Sequence, residues 1–214
     1  NTISRHISQE EINNDKYYWR SKLNLPSNKK IVLYCGSLYR EKGIESILET
    51  ANYIKKNDGI LFILVGGNDD QIADWKSFCS YKDIHNVHFT GFVPNSDTPK
   101  YMKAADMLIM PYSMKFDYKV MDAKDSIPIK LFEYLGAKRP IISTNISIVN
   151  RILVHRQNAL LAKPDAVEEL ADYIKLLISN TEMAVKLAEN SCKMAKKYEW
   201  KNRCKTILEQ LIIS

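Results

Sequence analysis

Four short stretches of the sequence carry residue types able to hold an anion or a polyol. In "GSLYREKG", residues 36–43, Gly36 and Ser37 open a turn that carries Arg40 and Lys42. Two cations at a strand-to-helix turn can neutralise a diphosphate. The pattern is neither G-x-G-x-x-G nor a P-loop, and a solvated basic turn reads the same way. In "KDSIPIKLFEY", residues 124–134, Asp125 or Ser126 can cap a helix whose first turn suits Pro128. The N–H groups of Ile129, Lys130 and Leu131 then stand at a helix N-terminus, which favours anions. The side chains of Ile129, Leu131, Phe132 and Leu135 are expected to pack that helix. Glu133, one turn in, repels phosphate but can accept two hydrogen bonds from a vicinal diol such as a ribose. Its plain alternative is a solvent-facing helix glutamate. In "VGG", Gly66 and Gly67 either admit a flat ligand to the backbone or make a tight turn. In "HFTGFVP", residues 88–94, Gly91 ends a strand-like run, and Phe92 and Val93 can wall a base or simply pack. His88 and Phe89 precede them inside the run, where a histidine is more often structural than catalytic.

The elements that must position these residues follow from hydrophobic patterning. Apolar, β-branched runs at residues 31–36, 60–67, 86–91, 107–111, 140–144 and 158–162 read as buried strands. Between them, apolar residues at helical spacing predict helices over residues 42–57, 69–82, 98–105 and 128–137, and three more follow near 165–179, 181–197 and 200–212. Alternating strands and helices imply a Rossmann-like doubly wound parallel sheet of about six strands, with helices on both faces and a helical C-terminal tail. Ligands of such sheets sit beyond the carboxyl ends of the strands. All four stretches fall at or near those ends.

Composition narrows the function class. The chain has 214 residues, with 45% hydrophobic and 26% charged side chains, enough for a sizeable core. No apolar run reaches the roughly 20 residues that span a bilayer, and "NTISRHISQEE" lacks the apolar middle of a signal peptide, so a cytoplasmic location is expected. Four scattered cysteines form no C-x-x-C pair, and Cys35, inside an apolar run, reads as a reduced core thiol. Four histidines lack metal-ligand spacing, so no metal site is expected. The net charge of +6 suits anionic ligands or an anionic membrane surface. Its lysines are spread along helices rather than gathered in one tract, which argues against nucleic acid.

Together the stretches resemble the C-terminal, donor-binding domain of a GT-B, family 4-like retaining glycosyltransferase. "VLYCGSLYREKGIESILETA", "FILVGG", "VHFTGFVPNSDTPKYMKAADMLIMPY" and "IPIKLFEYLGAKRPIISTN" are similar to the family's motifs in order and spacing, from about residue 30 onward. The resemblance implies that Lys42, with Arg40, binds the diphosphate of a UDP- or GDP-linked sugar. It implies further that the N–H groups of Ile129, Lys130 and Leu131 cradle the distal phosphate and that Glu133 holds the ribose. Gly36, Ser37, Gly66 and the segment His88, Phe89, Gly91, Phe92, Val93 would border the nucleotide. No cofactor or metal is implied. Two departures stand out: Ser37 where many members carry arginine, and Asp125 where the first acid of the E-x7-E motif is a glutamate. Asp125 is either a catalytic acid or only a helix cap.

The resemblance divides the chain into an N-terminal helical segment or linker, residues 1–30, and a nucleotide-sugar-binding domain, residues 31–214. The acceptor-binding half is expected to be missing, so donor binding is expected without transfer to a glycan or lipid-linked acceptor. The rival reading is a degenerate, non-catalytic scaffold or sugar-nucleotide-binding module.

Overall fold

The computed structural model describes residues 9–57, 59–115 and 127–198, with side chains from residue 15. The strands are β1 (Lys30–Cys35), β2 (Ile60–Val65), β3 (Val87–Gly91), β4 (Met107–Met110), β5 (Ile141–Thr144) and β6 (Leu160–Ala162). They pair in the order β3-β2-β1-β4-β5-β6, every neighbour parallel. The chain winds one way from β1 to β3, then returns across β1 to continue from β4. The switch point lies between β1 and β4, where adjacent connections diverge and leave a crevice.

The inner strands β1, β2 and β4 are apolar along nearly their whole length because both of their faces are covered, while β5 ends in the buried polar pair Ser143 and Thr144. Along β1, Val32 and Tyr34 enter one layer, and Ile31, Leu33 and Cys35 enter the other. The first layer is closed by α2 (Ile44–Tyr53), α3 (Asp69–Tyr81) and α7 (Val167–Ser179), through Ile47, Leu48, Trp75, Leu170 and Ile174. The second is closed by α4 (Thr98–Ala104), α5 (Ile129–Gly136) and the single turn α6 (Ser147–Asn150), through Met102, Leu131, Tyr134, Leu135 and Val149. The turn α6 is too short for apolar periodicity to reveal in sequence. Helix α8 (Thr181–Lys197) joins the layers, with Leu187 in the first core and Ala195 in the second. The helix expected over residues 200–212 lies outside the described residues.

Helix α1 (Gln9–Lys22) is tied to the amino-terminal side of the sheet. Arg20, almost fully buried, donates from Nε to the Ala104 carbonyl at 2.8 Å and from a terminal nitrogen to the Lys29 carbonyl at 2.9 Å. Its other terminal nitrogen pairs with Asp106, which also accepts from the Ile31 N–H at 2.7 Å and from Lys16 Nζ at 3.0 Å. Burial alone would raise the Asp106 carboxyl, but Arg20, the Ile31 N–H and Lys16 outweigh it and hold it below the usual carboxylate range.

Candidate functional site

At the switch point the strand ends are set by close backbone approach. Gly66 has φ +115° and donates its N–H to the Gly91 carbonyl at 2.9 Å. A Cβ on it would stand 2.3 Å from the Gly36 carbonyl oxygen, so no side chain fits there. Gly66 therefore fits the loops after β1, β2 and β3 against one another. Gly43, at φ +73°, does the same for the neighbouring loop, where a Cβ would lie 2.5 Å from the Pro111 carbonyl oxygen. This brings the turn that carries Lys42 against the loop after β4.

Three buried tyrosines hold the floor. Tyr34 donates its hydroxyl to the Ser37 carbonyl at 2.8 Å, which folds the first loop back over β1. Tyr134, from α5, accepts the Cys35 N–H at 2.7 Å and so fixes the helix to the end of β1. Tyr112 takes its N–H to Thr144 Oγ1 at 2.7 Å and lies under Lys42, whose ammonium is 5.5 Å from the ring centre. Burial raises all three phenols above their ordinary range, so they stay neutral, and the hydroxyls of Tyr34 and Tyr134 serve as hydrogen-bonding fixtures. The sequence reading passed over them. Their signal was a tyrosine inside an apolar run, where the hydroxyl must find a partner.

On this floor stands a cleft of about 320 Å³ lined by Tyr34, Cys35, Gly36, Ser37, Lys42, Met110, Tyr112, Pro128, Ile129 and Lys130. Gly36, Ser37, Lys42, Ile129 and Lys130, read from two distant stretches of sequence, meet here. Glu133 lies one turn further along α5, more than a third exposed, with its carboxylate 2.7 Å from Lys130 Nζ. Both charges are felt at the Cys35 thiol. Burial pushes that thiol up to about 12, with Lys130 pulling it down and Glu133 adding to the rise. Lys130 lines the cleft, and Glu133 stands beside it, partly exposed.

Other expected residues are placed away from this cleft or otherwise engaged. Arg40 does not line this cleft. Its guanidinium lies over the Trp75 ring, 5.7 Å from the centre, in a separate hollow with Leu38, Tyr39, Gln71, Asp74 and Phe78. An indole face holds a guanidinium by cation–π attraction, and the turn at residues 40–42 points successive side chains in different directions. Leu131 offers no N–H to a ligand, because that group donates to the Pro128 carbonyl at 3.0 Å. Helix α5 begins at Ile129, which places Pro128 at the N-cap itself, with no side-chain cap bond. Ile129 is 79% exposed on the cleft lip instead of packing the helix, while Leu131 and Leu135 are fully buried and Phe132 packs beside them.

Strand β3 is an edge strand, and none of residues 88–93 lines the Lys42 cleft. His88 is exposed in mid-strand. Phe89 and Val93 pack against the first and second cores. Only Gly91, bonded to Gly66, and Phe92, 83% exposed just beyond the strand, stand at the carboxyl ends. Asp125 and Ser126 lie outside the described residues.

A parallel sheet in this order, with a cationic turn and an open helix end facing one crevice, is the C-terminal domain architecture of GT-B glycosyltransferases. The chain belongs to the glycosyl transferases group 1 family, whose model matches residues 15–194. Its relatives include the putative teichuronic acid biosynthesis glycosyltransferase TuaC of Bacillus subtilis, 30% identical over 173 residues, covering 80% of this chain and 38% of that protein. Another is the alpha-D-kanosaminyltransferase of Streptomyces kanamyceticus, 21% identical over 173 residues, covering 80% and 42%. The chain thus spans less than half the length of these two relatives. Among solved structures, Anabaena HepE in complex with UDP-glucose is similar, with a TM-score of 0.76 and 19% identity over 94% of this chain and 53% of that one. So is the C-terminal domain of LpcC, a group 1 glycosyl transferase from Francisella tularensis, with a TM-score of 0.71 and 20% identity over 87% and 94%.

Proposed function

We propose that this domain binds a nucleoside-diphosphate sugar, UDP- or GDP-linked. The enzyme that contains it would transfer the sugar, with retention of anomeric configuration, to a glycan or lipid-linked acceptor held by a partner domain. The observation that carries this reading is the meeting of Lys42 and the α5 N-terminus in one cleft at the β1–β4 switch point. An ammonium and an open helix end are both aimed where negative charge gathers as a diphosphate leaves. Such fixed donors stabilise the developing charge without reorganising. In this reading Lys42 neutralises the diphosphate, and the N–H groups of Ile129 and Lys130, which have no intrahelical carbonyl to meet, hold the distal phosphate. Glu133 takes the ribose hydroxyls and in doing so loosens its pair with Lys130. Asp125, if it reaches the donor sugar, acts on that sugar's face. Arg40 joins the diphosphate only by leaving Trp75.

HepE, of like fold, is known in complex with UDP and with UDP-glucose, and TuaC and the Erwinia amylovora protein AmsK are named for the biosynthesis of teichuronic acid and of amylovoran. Both facts support a nucleotide sugar as donor and a polysaccharide pathway as setting. Among the described residues no helix is long and apolar enough to cross a membrane. The reading places the protein in the cytoplasm, where it meets any lipid-linked acceptor at the membrane's inner face, and it needs no metal.

Thermal melting of the 214-residue protein with UDP, GDP and their sugars tests the reading. A nucleotide at about 100 times its dissociation constant adds about 2.7 kcal/mol. Stabilisation by one nucleotide series, lost in Lys42→Ala, is the expected result. No stabilisation by any of them rejects donor binding.

A further inference from the structure

Of the three buried phenols beneath the Lys42 cleft, two are spent inside the protein. Tyr34 donates to the Ser37 carbonyl at 2.8 Å, and Tyr134 accepts the Cys35 N–H at 2.7 Å. The Tyr112 hydroxyl has no hydrogen-bond partner among the described residues, although Tyr112 is only 3% exposed. Buried hydroxyls are ordinarily paired, so this one calls for a partner from outside. Among the described residues the sealed, unpartnered side-chain atoms are Trp19 Nε1 and Asn86 Oδ1, and the Tyr112 hydroxyl is not one of them. It therefore keeps a little open surface, and the cleft that Tyr112 lines is where that surface opens. We propose, on the reading that this cleft takes a nucleoside diphosphate, that the Tyr112 hydroxyl donates a hydrogen bond to a phosphate oxygen of the donor. Tyr112 is then a further donor-binding residue beside Lys42.

The phenol is held from both sides of the switch point. Just after β4, the Tyr112 N–H is taken by Thr144 Oγ1 at the end of β5, at 2.7 Å. Both chain neighbours of Tyr112 are tied to the turn that carries Lys42. A Cβ on Gly43 would lie 2.5 Å from the Pro111 carbonyl oxygen, and the Ser113 N–H donates to the Glu41 carbonyl at 3.3 Å. The ring thus lies beneath the Lys42 ammonium, 5.5 Å from the ring centre, with little freedom to move away. The Tyr34 and Tyr134 phenols both sense Tyr112 electrostatically, which directs its hydroxyl toward the end of β1, where Gly36 and Ser37 line the same cleft. Burial keeps the phenol protonated at neutral pH, so it faces an anion as a donor. A hydrogen bond to a charged oxygen is stronger than one between neutral groups. An apolar group in this place would leave the hydroxyl unpaired, and a cation would be repelled by Lys42.

The experiment titrates UDP and GDP calorimetrically into the 214-residue protein, Tyr112→Phe and Lys42→Ala, with uridine and guanosine measured by competition. Phenylalanine fills the same space without the hydroxyl, so the melting temperature without ligand is expected to be unchanged. The diphosphate that binds the parent is expected to bind Tyr112→Phe about tenfold more weakly, while its nucleoside binds both proteins alike. A diphosphate affinity unchanged in Tyr112→Phe overturns the proposal, and the donor reading then still stands if Lys42→Ala loses binding. Equal losses for diphosphate and nucleoside, or a lower melting temperature of the unliganded variant, also overturn it, because the hydroxyl then serves packing. Failure of the parent protein to bind either diphosphate rejects the donor reading and the assignment of Tyr112 with it.

Discussion

Single residues here act mainly through what they are made to face. Lys42 and Arg40 are two positions apart, yet one ammonium lines the cleft over Tyr112 and the other cation lies on Trp75. Glu133 is paired with Lys130 at 2.7 Å, partly exposed, so the pair itself contributes little to stability. In the proposed site Glu133 serves as an acceptor that a ribose can recruit. Glu133→Gln is therefore expected to weaken UDP binding by about tenfold, which is about 1.4 kcal/mol. Calorimetric titration of UDP against its 2′,3′-dideoxy analogue checks the cause. The preference for UDP should collapse in the variant, and a preference that survives intact would remove Glu133 from the ribose.

At the scale of elements, side-chain hydrogen bonds join helices to strand ends where backbone pairing stops. Tyr134 holds α5 on β1 by accepting the Cys35 N–H. Tyr134→Phe leaves that buried N–H without its acceptor and is expected to cost about 1–3 kcal/mol in urea unfolding. It should also loosen the α5 N-terminus and lower nucleotide affinity, although residue 134 touches no ligand in the proposed site. Helix α1 depends on Arg20 in the same way. Arg20→Met removes one of the two cations that hold the part-buried Asp106 carboxylate, leaving Lys16 and the Ile31 N–H, and is expected to cost about 3–5 kcal/mol.

For the molecule as a whole, that same pair sets a pH dependence. The folded Asp106 carboxyl lies below its unfolded value of about 3.9. Its contribution is thus fully present above the unfolded value and is lost as pH falls through the folded one. Urea unfolding from neutral pH down to acid should show this loss in the parent protein, and the limb should shrink in Arg20→Met, where one of its stabilising partners is gone. The sheet also separates two hollows. The cleft at the carboxyl ends is the one proposed for a nucleotide, and a basal cavity at the amino ends brings together residues from Lys16 to Ala188.

The order of strands and helices was legible in the residues because it depends on local periodicity. Runs such as "IVLYC" and "ILFILV" are apolar throughout only if both faces are covered, and the helix over residues 181–197 appears with the bounds its spacing suggests. A parallel, doubly wound sheet then follows from alternation and handedness, and with it the rule that ligands gather at strand ends. That was enough to bring Lys42, Gly36 and Lys130 to one place. Directions of side chains and the fate of backbone N–H groups were not legible, because they depend on neighbours far away in sequence. Arg40 turned to Trp75, Leu131 gave its N–H to Pro128, and Phe89 turned into the core because α3 covers the sheet beside it. The basal cavity was invisible for the same reason. Its cations are spread over more than a hundred residues, and only the packing of α1, α7 and α8 around the sheet makes them neighbours.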